Sequence, residues 1–295
     1  MKKFLLVLLA VVLSISLMAC GNGDDVVENE DLVNDEQSDD NVDSIVSLAP
    51  AITEVLVEMG YGDKLVAADG PESQSRQGVP EDIVFMDMMA PDVEQLIALQ
   101  PDIVFASEIT IGGGEDPLKI LEDEGISVHY IYSSNSIEEI YENILFIGQV
   151  LNDEESSEEI VEDMKSQIED IQERNADAKT KTAYFEIAAA PDMYSSGSGT
   201  FLNEMLEILG LENILADNES WMNVSEEIIL DRNPDTIFTN VAYIENSVEE
   251  ILSRDGWESI SAVSNEDVYY INNSHSSLPN HNIVKAILEM EEAVR

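Results

Sequence analysis

The chain has 295 residues, of which 62 are Asp or Glu and only 13 are Lys or Arg, so its formal net charge is −49 at pH 7. A field this negative repels nucleic acid and anionic lipid, which excludes both as partners. The same charge is typical of proteins from salty surroundings, where a Debye length of about 3 Å screens the self-repulsion, although an ordinary acidic surface would also produce it.

The first residues have the pattern of a targeting segment. Lys2 and Lys3 precede an apolar run at 4–17, which is too short to span about 30 Å of hydrocarbon. The run ends in LMAC at 17–20, which resembles a bacterial lipobox and implies cleavage before Cys20 and lipid attachment to it. We therefore predict a lipoprotein signal peptide at 1–19 and a lipid anchor on the outer face of the cytoplasmic membrane. An uncleaved signal with an incidental cysteine is the alternative.

The residues that follow the signal have the composition of a tether. Cys20 is the only cysteine in the chain, so no disulfide can form within the fold. Residues 20–43 are rich in Asp, Glu and Asn, which predicts an acidic disordered segment. The folded part then begins near residue 44 and has about 250 residues, enough for one large domain or for two lobes.

Strand and helix patterns alternate along residues 44–135, the predicted N-terminal lobe. In chain order, the pattern predicts a strand at 45–48, a helix at 53–59, a strand at 102–107, a helix near 117–124 and a strand at 126–132. This order favours a parallel sheet flanked by helices.

Two helical runs, at 136–151 and 156–175, occupy the predicted connecting segment 136–178. Ser156 or Ser157 can cap the second run. Four apolar residues recur on one of its faces: Ile160, Met164, Ile168 and Ile171. About 20 helical residues span roughly 30 Å, so we interpret this run as a solvent-exposed spacer between two lobes. One helical connection allows a small tilt of the lobes and not a wide closure.

An internal repeat predicts the second lobe, at 179–295. EVLVEMG at 54–60 has a counterpart in EMLEILG at 204–210, and EQLIALQPD at 94–102 has one in EIILDRNPD at 227–235. Both members of each pair have the same spacing, and each Pro-Asp is followed by a strand pattern. The predicted fold is therefore α/β, with two similar lobes that are each a mainly parallel sheet flanked by helices and are joined by one long helix.

Three motifs carry a resemblance to a known family. SLAPAITE at 47–54, the block at 94–102 and NIVKAILEM at 282–290 resemble the helical-backbone (class III) substrate-binding proteins of ABC importers for ferric siderophores, haem and cobalamin. The resemblance implies a monomer that captures an iron complex, haem or cobalamin in the cleft between its lobes. It also implies delivery to a membrane permease driven by a cytoplasmic ATPase.

Glu94 and Glu227 are the predicted permease-docking residues. In the family, one Glu on each lobe pairs with arginines of the permease, and these two positions match the motif. They are also equivalent in the internal repeat, so a two-fold-like pair of carboxylates would meet a two-fold-like pair of subunits. The alternative is that each is one more solvated acid among many.

The resemblance and the loop positions together nominate the ligand-binding residues. These are Pro50, Ala51, Arg76, Met88, Met89, Tyr194, Trp221, Tyr243, Ser274 and His275. Tyr194 and Trp221 match positions where cobalamin-binding relatives hold aromatic rings against the corrin, although core packing would also explain them. The Asp and Arg of those relatives align with Ser274 and Leu278, so these polar contacts are not kept.

Haem is a further possible ligand, and it would make Met89 and Tyr243 the axial ligands of the iron. Met89 lies in a stretch that resembles haem-receptor relatives, and a phenolate oxygen suits ferric iron. A haem relative has His where this chain has Tyr243, and Met89 is equally suited to line a cleft. The cationic candidates reduce to Arg76, Arg232 and Arg254, which argues against strongly anionic siderophores.

Enzymatic activity is not expected, and neither is a cofactor. The sequence has no GxSxG motif, no phosphate-binding loop, no HExxH motif and no cysteine nucleophile in the folded part. The alternative function is a surface scavenger or sensor of haem or iron that has the same cleft but no importer.

Overall fold

A computed structural model describes residues 42–70, 78–112, 114–177 and 179–295. The described residues form one compact unit. The predicted signal peptide, Cys20, most of the tether and Arg76 lie outside them. Asp43, which the sequence assigns to the tether, already belongs to the fold because its side chain pairs with Lys64 at 2.8 Å.

The first sheet has five parallel strands in the order β3-β2-β1-β4-β5. They are β1 (Ile45–Ser47), β2 (Leu65–Asp69), β3 (Val84–Met86), β4 (Ile103–Ser107) and β5 (Ser127–Ile131). The helices between them are α1 (Pro50–Glu58), α2 (Val93–Leu99), α3 (Glu108–Ile111) and α4 (Lys119–Asp123). This sheet and these helices are the N-terminal lobe.

The second sheet has four parallel strands in the order β11-β10-β6-β8, and β7 and β9 form a separate antiparallel pair. The strands are β6 (Thr182–Glu186), β7 (Tyr194–Ser196), β8 (Glu212–Asn213), β9 (Trp221–Asn223), β10 (Thr236–Thr239) and β11 (Val268–Tyr270). The helices are α7 (Phe201–Ile208), α8 (Glu226–Arg232), α9 (Ser247–Leu252), α10 (Ser261–Ser264), α11 (Asn273–Ser277) and α12 (Ile283–Val294). Together they are the C-terminal lobe, and the predicted α/β fold with two lobes is confirmed.

Two helices join the lobes, α5 (Ile137–Leu151) and α6 (Glu154–Asn175). The predicted cap of α6 is wrong, because Asp153 is the cap residue and its side chain accepts from the Ser156 N–H. The description of α6 as an exposed spacer also needs correction. Its apolar face, which includes Met164 and Ile171, is buried in a core cluster that contains residues from both sheets.

The internal repeat has a physical counterpart at the start of each sheet. Asp102 Oδ2 accepts hydrogen bonds from the Ser44 N–H at 2.9 Å and from the Ser44 hydroxyl at 2.9 Å. In the same way, Asp235 Oδ2 accepts from the Thr182 N–H at 2.9 Å and from the Thr182 hydroxyl at 3.0 Å. In both lobes, the Asp of the Pro-Asp pair therefore holds the start of the first strand by hydrogen bonds.

The other two repeated carboxylates, Glu54 and Glu204, form hydrogen bonds with the other half of the chain. Glu54 Oε2 on α1 accepts from the side-chain amides of Asn280 and Asn282, each at 2.8 Å, just before α12 begins. Glu204 Oε2 on α7 accepts from the Ile137 N–H at 2.7 Å, at the first residue of α5. Each lobe thus holds the start of a helix that belongs to the other half of the chain. Among the described residues, no helix is both long and apolar enough to cross a membrane.

Candidate ligand-binding site

A cavity of about 290 Å³ lies at the carboxyl ends of the first-sheet strands and reaches the C-terminal lobe. Its walls come from Pro50, Ala51 and Val55 of α1, from Met88 and Ser107, from residues 131–133, from Asn143, Ile144 and Ile147 of α5, and from residues 277–279. None of the described lining residues is charged. Such a position is where parallel α/β sheets bind ligands, and the lining suits an apolar ligand surface.

The start of α1 is held firmly beside this cavity. Pro50 occupies the first turn of the helix, where its missing N–H costs nothing. The Thr53 hydroxyl, which is fully buried, contacts Asp69 Oδ1 at 2.7 Å and Ser47 Oγ at 2.8 Å, so it ties the helix to two strands. Three predicted residues, Pro50, Ala51 and Met88, meet in the cavity as a result.

Met89 and Tyr243 are not among the residues that line this cavity. Both side chains are 71% exposed. The Tyr243 hydroxyl accepts a hydrogen bond from the Ala189 N–H at 2.8 Å, which fixes the position of the phenol oxygen but leaves its ring in solvent. Both residues are therefore accessible from outside the cavity.

Tyr194 and Trp221 lie on the antiparallel pair β7–β9, and neither lines the cavity. Both are half-buried. The Trp221 ring packs edge-on against Phe201 with 5.5 Å between ring centroids. Trp221 thus has a packing role in the C-terminal lobe in this structure.

Ser274 and His275 lie in a second cavity, which is polar and has a volume of about 580 Å³. Glu54, Glu58, His281 and Lys285 also line it. His275 Nδ1 lies 2.7 Å from a carboxylate oxygen of Glu289. Among the described residues, no group of three or more His, Cys, Asp or Glu side chains could hold a metal ion.

His281 is the most buried histidine of this cavity, and it predicts a pH dependence of stability. Burial, followed by the charge of Lys285, lowers its pKa from 6.5 to about 4. Between pH 6.5 and about 4, His281 is therefore protonated in most unfolded chains but neutral in most folded ones. Stability should fall as the pH falls through this window, by an amount that approaches about 3 kcal/mol.

Urea unfolding of the unchanged protein and of His281→Gln at pH 7 and pH 4.5 would measure this effect. The carboxylates titrate in both proteins, so the difference between them isolates the histidine. An equal loss of stability in the unchanged protein and in His281→Gln would contradict the assignment.

The arginine candidates do not line the apolar cavity. Arg232 pairs with Asp217 at 2.5 Å. The Arg254 side chain is buried, and its guanidinium contacts both oxygens of Glu186, at 2.6 and 2.8 Å. Arg76 lies outside the described residues, so the described part of the chain offers this cavity no cation.

Several lining residues were not predicted from the sequence. Ser107 ends β4, and Asn143, Ile144 and Ile147 belong to α5, which we interpreted only as a connection. Asn143 donates to the Tyr132 carbonyl at 2.8 Å and to Ser134 Oγ at 2.9 Å, so it shapes the adjoining loop. The apolar face of α5 is visible in the sequence, but the sequence does not show that part of this face lines a cavity.

Glu94 and Glu227 are exposed residues in the first turns of α2 and α8. The helices end alike, because Gln100 and Asn233 both adopt the left-handed conformation before the Pro-Asp. The two carboxylates therefore occupy equivalent surface positions on the two lobes.

Comparisons with known proteins agree with this architecture. A family model described as periplasmic binding protein matches residues 45–274. YvrC, an ABC transporter substrate-binding lipoprotein of Bacillus subtilis, is 32% identical over 85% of this chain and 79% of its own length. A vitamin B12-binding protein of Vibrio parahaemolyticus is 24% identical over 85% of this chain and 89% of its own.

A solved structure shares the fold and covers most of the chain. A possible iron-binding (periplasmic solute-binding) protein from Staphylococcus epidermidis matches with a TM-score of 0.75 and 28% identity, over 86% of this chain and 99% of its own. The family that the sequence motifs suggested is confirmed, and its members bind substrates and are not enzymes. The chain belongs to the periplasmic binding protein family and is an extracytoplasmic substrate-binding protein of an ABC transporter.

Proposed function

We propose that this protein is a lipid-anchored receptor that captures an iron complex, haem or cobalamin between its lobes and delivers it to an ABC permease. The observation that carries the proposal is the apolar cavity, whose walls come from α1 of one lobe and from residues 277–279 of the other. A ligand held by both lobes stabilises their closed arrangement, which a permease can then recognise.

The relatives support the ligand class and the anchor. Their names include vitamin B12 binding and iron binding, and YvrC is named a lipoprotein, in keeping with the LMAC motif at 17–20. In this proposal, lobes at 44–135 and 179–295 act as a monomer around the connecting segment 136–178. Strongly anionic siderophores fit less well, because the cavity has no cationic residue among those described.

Optical titration of protein that begins at residue 42 would test the proposal, with hemin, cobalamin and ferric hydroxamate and catecholate siderophores as ligands. We expect one of them to give saturable quenching of the Tyr and Trp fluorescence. If it is hemin, Met89→Ala and Tyr243→Phe should shift the Soret band, because each removes an axial ligand. Tyr270→Phe, at another tyrosine that is 46% exposed, is the matched control. Absence of saturable binding by all of these compounds would refute the proposal.

We also propose that the acidity is an adaptation to salt. The exposed side of α6 is crowded with carboxylates, and its first turn alone has Glu154 and Glu155. Molar NaCl shortens the Debye length to about 3 Å and screens this repulsion, so the free energy of unfolding should be higher there than at low salt. Urea unfolding at both salt concentrations measures the difference, and equal stability would exclude salt adaptation.

A further inference from the structure

One residue that lines the apolar cavity, Ser107, has a buried hydroxyl without a hydrogen-bond partner among the described residues. Ser107 ends β4 and is 7% exposed, and its Oγ is fully buried without a partner among the described residues. Ser107 is also the cap residue of α3, yet its side chain makes no capping bond. A buried hydroxyl without a partner costs stability, so its presence calls for an explanation.

The other polar groups of the wall are already engaged or solvated. The Asn143 amide nitrogen makes two hydrogen bonds, to Tyr132 and Ser134. Ser277 Oγ accepts from the Asn240 amide at 3.0 Å. Ser133 is exposed to solvent. The Ser107 hydroxyl therefore differs from the other polar groups of this wall, because it is buried and has no hydrogen-bond partner among the described residues.

The surroundings of Ser107 limit what that partner is. Apolar side chains, including Ile109 and Ile144, share the cavity with it, and none of the described lining residues is charged. An ionised carboxylate or phosphate would enter without a counter-charge, which is strongly unfavourable. The volume of about 290 Å³ is at the lower end for ligand sites, so it takes one arm of a large ligand and not the whole of it.

We propose that this cavity is a specificity pocket for an uncharged, apolar arm of the transported compound, and that one hydrogen-bonding group of the arm pairs with the Ser107 hydroxyl. The inference rests on the proposed function and adds to it the chemistry of the buried part. The remainder of the ligand lies outside the cavity. The hydroxyl both donates and accepts, so the group on the arm is an alcohol, a carbonyl or an amide.

Three two-ring probes test the proposal on protein that begins at residue 42. 2-Naphthol has a hydroxyl, 2-methylnaphthalene replaces it with a methyl group of similar size, and 2-naphthoate has a charged end. We expect 2-naphthol to bind about fivefold more tightly than 2-methylnaphthalene, because it satisfies the hydroxyl. The naphthoate should bind at least about tenfold more weakly than 2-naphthol. This comparison needs no variant, and naphthol fluorescence and protein-detected NMR both report the binding.

Two variants and a control then locate the effect. Ser107→Ala should remove the preference for 2-naphthol and leave the affinity for 2-methylnaphthalene unchanged. Ala51→Phe should fill the cavity and weaken both probes. Ser196→Ala is the matched control, because Ser196 has another buried hydroxyl without a partner but does not line the cavity, so the preference should remain.

The outcomes separate this inference from the proposed function. If hemin, cobalamin or a ferric siderophore binds, but the neutral probes neither bind nor compete with it, the pocket assignment is overturned and the receptor function stands. If the probes bind with the expected dependence on Ser107 and no such compound binds, the pocket stands and the ligand class is wrong. Binding of 2-naphthoate as tight as that of 2-naphthol would also overturn the inference.

Discussion

Cells in which this protein has both Glu94→Arg and Glu227→Arg should lose uptake of the ligand, whereas the purified variant should bind it as before. The two residues are exposed, and both lie in the first turn of equivalent helices, α2 and α8. Neither residue lines the cavity, so the binding site should be intact.

The physical reason is a reversal of charge at two matched docking points. A carboxylate that faces a permease cation attracts it, and an arginine at the same point repels it, which costs several kcal/mol at each contact. Two such reversals should lower uptake by at least about a hundredfold, and each single variant should have an intermediate effect. Uptake of labelled ligand by whole cells measures the loss.

The control changes the same charge elsewhere. Glu155→Arg with Glu158→Arg alters two exposed acids of α6 and should leave uptake near normal. Equal loss of uptake in the control would attribute the effect to net charge and not to docking. Normal uptake in the Glu94 and Glu227 double variant would show that these two residues do not dock the permease. It would favour a scavenger or sensor.

Arg254→Met should destabilise the protein by about 3–5 kcal/mol, because it removes one partner of a buried ion pair. The Arg254 side chain is 7% exposed and that of Glu186 is fully buried. The guanidinium also binds Glu250 at 2.5 Å and stacks over the Trp257 ring, with 4.5 Å to the ring centroid. Burial raises the pKa of Glu186, whereas Arg254 opposes that rise, so the variant leaves this carboxyl buried without its counter-charge.

Urea unfolding at pH 7 gives the size of the loss, and a double variant shows its origin. Arg254→Met with Glu186→Met should regain most of the stability, because an apolar pair replaces a buried ion pair at little cost. Lys64→Met removes an ion pair with the exposed Asp43 and should change little. If the double variant were as unstable as Arg254→Met alone, lost packing and not the unpaired carboxyl would be the cause.

The repeat and the alternating pattern were sufficient to predict two parallel sheets. The strand at 102–107 is observed as Ile103–Ser107, and the helix at 53–59 as Pro50–Glu58, because a proline is accepted in the first turn of a helix. The strands Leu65–Asp69 and Val84–Met86 were not predicted, because each is short and lies between loops without a clear period.

The cavity was only partly predictable from the sequence. Loop position and motif resemblance nominated Pro50, Ala51 and Met88, and all three line it. Ser107 and the α5 residues were missed because their role depends on contacts between segments that are distant in sequence. Trp221, which was nominated as a ligand contact, packs on Phe201 in this structure, and its contact with a ligand stays a prediction.

The crossed contacts of Glu54 and Glu204 have a consequence for how this chain unfolds. Each half of the chain contains the carboxylate that completes a helix start in the other half, and a single buried cluster extends through both sheets. Each half, if separated, would lose one of these carboxylate contacts and expose its side of that cluster. We therefore expect the duplicated halves to unfold as one cooperative unit.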